Sequence, residues 1–180
     1  MHKNGFTLLE ILIGLGLVAT VFSVAGSVLF ASLKSTRKAA AVAVAKAEGA
    51  YAMRAMSDMI RYAQAVTCQS TRIQVDRPSQ QSSKQSLVYS FDNSVNPAKI
   101  SSTSGTFVSP GPLQSDLTSS EVRVSLTECG NTMFNCSDQN QVVEICFAVD
   151  SASGVDVSDK ARGTGGLIFQ TQVTVANRIN

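Results

Sequence analysis

The apolar run from residue 6 to residue 33 constrains this chain more than any other feature. It follows a short polar leader, residues 1–5, and contains a single charged side chain, Glu10, at its fifth position. About 20 consecutive apolar residues are enough to cross the hydrocarbon core of a bilayer. A carboxylate inside such a segment is costly unless it meets a partner. The run therefore predicts a membrane-spanning helix and makes Glu10 a candidate functional residue.

Two simple interpretations of the apolar run are open. It is a cleaved secretory signal if Ser23, Val24 and Ala25 form a small-residue cleavage site, which would release a secreted, disulfide-bonded binding protein. Against this, the run continues past Ala25 to Leu33, and Glu10 interrupts its core. Alternatively, the run is a plain anchor of a bitopic membrane protein with an extracytoplasmic sensory or binding head. That interpretation explains the length of the run and gives Glu10 no purpose.

The residues that lead up to Glu10 form a more specific pattern. The segment from Lys3 to Glu10, KNGFTLLE, resembles the cleavage and assembly motif of type IV prepilins and of the pseudopilins of type II secretion. The resemblance implies that a prepilin peptidase cuts after Gly5 and that Phe6 becomes the N-methylated first residue. It further implies that Glu10 meets the terminal amine of a neighbouring subunit during assembly.

The same resemblance implies a structural filament subunit and no enzymatic activity. Its partners would be other pilin subunits, the prepilin peptidase, the membrane assembly machinery and, before assembly, the membrane itself. The subunit would begin as a single-pass protein of the inner membrane with an extracytoplasmic head and would end in a cell-surface or periplasmic filament. Residues 54–63 resemble the corresponding helix of minor pilins, which favours a low-abundance subunit.

Beyond the apolar run, the sequence predicts that the helix continues to about Val66. This stretch contains no proline and is rich in alanine. Its apolar residues recur at steps of three and four, which indicates one buried helix face. The predicted face consists of Val42, Ala45, Gly49, Met53, Met56, Ile60 and Ala63.

From Thr67 the apolar residues alternate, which is typical of strands. Strands are predicted at 73–75, 87–91, 121–127, 141–149 and 166–176. The Ser-, Pro- and Gly-rich stretch 92–120 is predicted to be mainly a surface loop, with short strands at most near Ile100 and Phe107. We therefore expect an α+β fold in which the long N-terminal helix packs on a C-terminal antiparallel sheet. The expected parts are a leader at 1–5, a spanning helix at 6–33, an amphipathic helix at 34–66 and a head at 67–180.

The four cysteines, Cys68, Cys129, Cys136 and Cys146, all follow the apolar run. An even number of cysteines in an exported region favours disulfides. A zinc site is disfavoured because no Cys-x-x-Cys pair exists and the only histidine is His2. Four cysteines allow three pairings. We expect Cys129–Cys136 together with Cys68–Cys146. Against the second pair, Cys146 points away from the helix if its neighbours in sequence face it.

Charge and composition disfavour several other functions. Residues 67–180 contain eight Lys and Arg and ten Asp and Glu, a balance of −2, which lacks the basic footprint of a nucleic-acid interface. Without a histidine beyond the leader, no serine has a base for nucleophilic catalysis. Asp150, Asp156 and Asp159 match no calcium-ligand spacing and are interpreted as solvated turn residues. We therefore expect no catalytic, cofactor-binding or metal-binding residue.

Overall fold

The computed structural model describes residues 7–77, 85–137, 141–155, 157 and 165–176. The chain divides into two compact units, Met1–Ala39 and Ala40–Asn180. One helix, α1, covers Leu8–Arg61 and contributes residues to both units. In the first unit α1 is the whole described structure apart from Thr7, and each of its residues there is exposed.

In the second unit, α1 presents one buried face. Its buried residues are Ala45, Gly49, Ala52, Met56 and Ile60. Steps of three and four place these residues along one side of a helix. The predicted helix face is thus confirmed, with Val42 and Met53 partly buried at its margin and Ala52 as an additional member.

The helix ends at Arg61, a few residues before the predicted end near Val66. The last turn tightens, since the backbone N–H of Ala63 donates to the carbonyl of Ile60 at 3.2 Å. The N–H of Gln64 then donates to the carbonyl of Asp76 at 2.8 Å. From there the chain follows strand pairing, which the β-branched residues after Ala65 favour.

The first sheet is a five-stranded antiparallel meander in which each strand pairs with the next along the chain. Its strands are β1 Ala65–Gln69, β2 Arg72–Arg77, β3 Gln85–Asp92, β4 Lys99–Gly105 and β5 Pro110–Asp116. The strands predicted at 73–75 and 87–91 are confirmed within β2 and β3. The stretch 92–120, predicted to be mainly loop, contains two full strands.

Hydroxyl side chains explain why β4 was missed. Ser101 is buried on this strand, and its hydroxyl lies 3.1 Å from that of Ser90 on β3. Nearby, the Thr118 hydroxyl is also buried and accepts a hydrogen bond from the Ile100 N–H at 3.1 Å. Buried polar groups are tolerated when they are hydrogen-bonded. Ile100 is the only apolar residue of β4, and Ser101 points to the opposite face of the sheet. The strand therefore lacks the apolar alternation that marks strands in a sequence.

The second sheet is built around its longest strand. Its strands are β6 Val122–Ser125, β7 Phe134–Cys136, β8 Val142–Ser151 and β9 Leu167–Thr174. β7 pairs with the first half of β8, and β6 pairs with the second half. β9 pairs with β8 along almost the whole length of β8. The predicted strands at 121–127, 141–149 and 166–176 are confirmed. The α+β fold is confirmed too, with two antiparallel sheets where one was expected.

The two disulfides pair differently from the prediction. Cys68 bonds to Cys136, and Cys129 bonds to Cys146, with Cα–Cα distances of 6.2 Å and 5.7 Å. The predicted pairs Cys129–Cys136 and Cys68–Cys146 were wrong because side chains alternate across β8. Ile145 is fully buried, so its neighbour Cys146 points to the opposite face, whereas Cys68 and Cys136 pack against the core.

Each disulfide has a distinct place in the second unit. The Cys68–Cys136 bond joins β1 of the first sheet to β7 of the second. The chain between β6 and β7 leaves the edge of β8, forms a 3₁₀ turn at Thr127–Cys129 and returns. Cys146 lies at this interruption, where its N–H donates to the carbonyl of Met133 at 2.9 Å. The second bond therefore ties the excursion to the strand that it leaves.

Helix and sheet approach each other closely at Gly49. A Cβ atom at this position would overlap the ring of Phe169 on β9. That ring stacks on Phe147 of β8 with a centroid distance of 5.5 Å and an interplanar angle of 17°. Gly49 is therefore required for close packing, even though glycine is a poor helix former.

Gly49→Ala is expected to lower the free energy of unfolding by about 1–2 kcal/mol, although alanine is the better helix former. Overpacking costs about 1–3 kcal/mol, which outweighs a propensity gain of about 1 kcal/mol. Urea unfolding of the full chain in mild detergent, followed by near-ultraviolet circular dichroism, measures the change. Phe169→Leu in the Gly49→Ala background makes room and should recover part of the loss. A raised midpoint in Gly49→Ala alone would show that the ring moves freely.

Candidate assembly site

Three residues were predicted to carry processing and assembly: Gly5, Phe6 and Glu10. Gly5 and Phe6 lie outside the described residues. Glu10 lies in the first turn of α1 and is exposed. Among the described residues, its carboxylate has no hydrogen-bond or ion-pair partner. The structure thus leaves this charge available to a group outside the described part of the chain.

Thr7 caps the start of the helix. The backbone N–H of Glu10 donates to the Thr7 hydroxyl at 3.3 Å and to the Thr7 carbonyl at 3.1 Å. A threonine followed three residues later by a glutamate is the spacing of a capping box. This role of Thr7 was not predicted, although the sequence TLLE has the spacing that indicates it. Glu10 therefore lies where a helix accepts an acidic residue, close to the positive end of the helix dipole.

The helix surface around and beyond Glu10 is apolar and exposed. In the apolar run the exposed large side chains are Leu8, Leu9, Ile11, Leu12, Ile13, Leu15, Leu17, Val18, Val21, Phe22, Val24, Val28, Leu29, Phe30 and Leu33. A continuous apolar surface of this extent marks a membrane or protein interaction site. α1 is long and apolar enough to span a membrane.

Open recesses occur among the described residues of the second unit. One, of about 720 Å³, is lined by residues of α1, the loop after β3 and the segment after β5. At its wall the Glu48 carboxylate accepts from the Ser119 N–H at 3.0 Å, and Lys99 pairs with Asp116 at 2.6 Å. The Glu48 contact joins α1 to the segment after β5, and the Lys99–Asp116 pair joins β4 to β5. The charged groups of this recess are thus engaged in contacts within the fold.

The second recess, of about 540 Å³, lies beside the excursion between β6 and β7. Its central group is Glu144, whose carboxylate accepts from the Gln170 amide at 2.7 Å and from the Asn135 amide at 3.4 Å. No group of three or more metal-ligating side chains occurs among the described residues. Of the aspartates considered for calcium, Asp150 accepts from the N–H of Ser151 at 2.8 Å, and residues 156 and 159 lie outside the described residues.

Among the described residues of the second unit, Tyr89 and Asp92 have shifted pKa values. Burial raises the pKa of Tyr89 to about 12, with the charge of Arg77 opposing that shift. Hydrogen bonds from the hydroxyl and the N–H of Ser94, at 2.6 Å and 2.9 Å, lower the pKa of Asp92. The shift of Tyr89 results from burial in the core, and the shift of Asp92 results from hydrogen bonds in an exposed turn. Neither residue lines one of the two recesses described above.

No family model, curated protein or solved structure matches this chain. The resemblance to prepilins therefore rests on residues 3–10 and on the apolar run that follows them.

Proposed function

We propose that the chain is a structural subunit of a type IV pilus or a pilus-like filament. In this proposal the prepilin peptidase removes residues 1–5 and methylates Phe6, and the subunit stays in the cytoplasmic membrane with its head on the extracytoplasmic side. The assembly machinery then moves the subunit into a filament at the cell surface or in the periplasm. The apolar part of α1 exchanges lipid for the helices of neighbouring subunits.

The observation that carries the proposal is an exposed apolar helix surface with a single carboxylate near its start, which has no partner among the residues that the structure describes. Removing a carboxylate from water costs several kcal/mol unless an opposite charge meets it. The amine of a processed Phe6 on another subunit supplies that charge at the same depth in the helix bundle. A subunit out of register leaves both charges unpaired, so the pair favours one helix register.

The two disulfides of the second unit suit an extracytoplasmic head. They suit a secreted binding protein and a bitopic sensor equally well. The Glu10 carboxylate, which has no partner in the described part of the chain, favours the filament subunit over both, since a signal core and a plain anchor have no use for a charge there. Phe6 and Gly5 complete the pattern in sequence.

The proposal is tested by locating the protein after filaments are sheared from cells. An antibody against the head should detect the shortened chain in both the membrane and the sheared filaments. Gly5→Leu should leave the chain uncleaved and confined to the membrane, because a large side chain precedes the cut. The matched variant Gly14→Leu should be cleaved normally, since a Cβ atom at Gly14 meets nothing within 4 Å. A wild-type chain that never leaves the membrane, or that is found only as a soluble protein, would contradict the proposal.

A further inference from the structure

Three basic side chains lie within a single helical turn directly after the apolar run. Lys34, Arg37 and Lys38 are all exposed on α1 in the first unit. Their spacing of three and four residues places them on one side of the helix. The side chains between them are short and carry hydroxyls, and the Thr36 hydroxyl donates back to the Ser32 carbonyl at 3.0 Å. The three cations therefore form one compact, accessible patch, here called the basic turn.

The basic turn has no carboxylate within reach along the helix. Side chains on a helix contact those three or four residues away. The acidic residues that flank the turn in sequence are Glu10 and Glu48, which are 24 residues before Lys34 and 10 residues after Lys38. Among the described residues none of the three cations forms an ion pair. Three mutually repelling charges thus remain uncompensated within the first unit.

The position of the basic turn relative to the apolar run sets its depth in a bilayer. Residues 8–33 of α1 rise by about 39 Å at 1.5 Å per residue, which exceeds a hydrocarbon core of about 30 Å. The residues just after Leu33 therefore lie at the level of the lipid headgroups. Lysine and arginine at such a place keep their stems along the apolar boundary and their charges among the phosphates.

The basic turn does not follow the usual charge bias of membrane proteins. Lys and Arg are normally in excess on the cytoplasmic side of a span. In the proposed topology the cytoplasmic leader has one lysine, Lys3, and the extracytoplasmic end has the three charges of the basic turn. The charge bias that orients membrane spans therefore does not account for the basic turn.

We propose that Lys34, Arg37 and Lys38 bind the phosphate groups of anionic phospholipids in the leaflet that faces the head. This inference rests on the membrane-resident state of the proposed function. The lipid phosphates neutralise the basic turn while the subunit waits in the membrane. Leaving for a filament then requires those contacts to be exchanged, so the lipid composition of that leaflet influences how readily the subunit is extracted.

The test uses the processed full-length chain in phosphatidylcholine vesicles with a trace of spin-labelled lipid. Electron paramagnetic resonance compares the association of labelled phosphatidylglycerol with that of labelled phosphatidylcholine. The wild-type chain should favour phosphatidylglycerol by roughly tenfold, as expected if each lipid contacts one or two of the basic residues. The preference should weaken in high salt. The triple variant K34Q/R37Q/K38Q should lose it.

A matched control removes the same number of charges from the same helix at exposed positions of the second unit. K46Q/R54Q/R61Q should keep the preference for phosphatidylglycerol. An unchanged preference in K34Q/R37Q/K38Q would overturn the inference. The inference would also be overturned if the wild-type chain showed no preference for phosphatidylglycerol and the basic turn were needed only for incorporation into filaments. The partner of the basic turn would then be another subunit. Failure of the chain to insert into vesicles at all would instead contradict the proposed function.

Discussion

Glu10→Gln is expected to leave membrane insertion and leader cleavage intact and to reduce incorporation into filaments by about 100-fold. Breaking a buried charge pair by removing one partner costs about 3–5 kcal/mol, and each 1.4 kcal/mol is about a tenfold change in an equilibrium. Glutamine keeps the size of the side chain and its place in the first turn. The measurement is the ratio of subunit in sheared filaments to subunit in the membrane.

Thr7→Ala separates the assembly role of Glu10 from its place at the helix start. This variant removes the hydroxyl that accepts from the Glu10 N–H and leaves the carboxylate in place. Loss of such a cap costs about 1 kcal/mol, so incorporation should fall by several-fold at most. If Glu10 served only the capping box, Thr7→Ala would reduce incorporation more than Glu10→Gln, because glutamine also fits that position of the box. Normal incorporation of Glu10→Gln would remove the proposed role of the charge.

Replacing Cys68 and Cys136 together by alanine is expected to lower the free energy of unfolding by about 4 kcal/mol. The same change at Cys129 and Cys146 should cost about 3 kcal/mol, since the loop that it closes is shorter. The sequence separations are 68 and 17 residues. Domains of this size are stable by about 5–15 kcal/mol, so the first variant loses a large part of its stability. Urea unfolding of the full chain in detergent measures both.

The double replacements avoid leaving an unpaired thiol that could exchange with the remaining disulfide. Mass mapping of non-reduced peptides from the wild-type chain supplies the control, and it should find Cys68 with Cys136. Peptides that join Cys129 to Cys136 would contradict the pairing. A larger loss for the Cys129 and Cys146 variant would contradict the account in which the disulfide that closes the longer loop contributes more stability.

The helix and most of the strands could be predicted because their side chains follow simple periods. Steps of three and four from Ala45 to Ile60 mark a helix face whatever it packs against. Alternation around Ile145 likewise marks a strand. β4 was not predicted because Ile100 is its only apolar residue, and Ser101 beside it is a polar residue that is buried through a hydrogen bond. β7 was not predicted because its three residues are too few to show an alternating pattern.

The disulfide pairing could not be read from spacing, because it depends on which face of a strand each cysteine occupies. The sequence suggested that Cys146 would point away from the core, and this observation alone argued against the favoured pair. What was missing was the excursion that brings Cys129 to the outer face of β8. Such a loop depends on the register between distant strands, and local patterns do not encode that register.

The candidate site was predictable in part. The apolar run and its single carboxylate are visible in the sequence, and the structure places Glu10 on an exposed first turn. The cap by Thr7 was not predicted, although the spacing of three residues between Thr7 and Glu10 indicates it. The packing of Gly49 against Phe169 was not visible, because it joins residues 120 positions apart.

The most direct test of the central claim is the mass of the N-terminal peptide of the mature chain. Purification from the membrane in detergent, followed by tandem mass spectrometry, identifies both the first residue and any modification. We predict a peptide that begins at Phe6 and carries one additional methyl group on its amine. A chain that begins at Gly26, as signal cleavage after Ala25 requires, or one that retains Met1, would contradict the account.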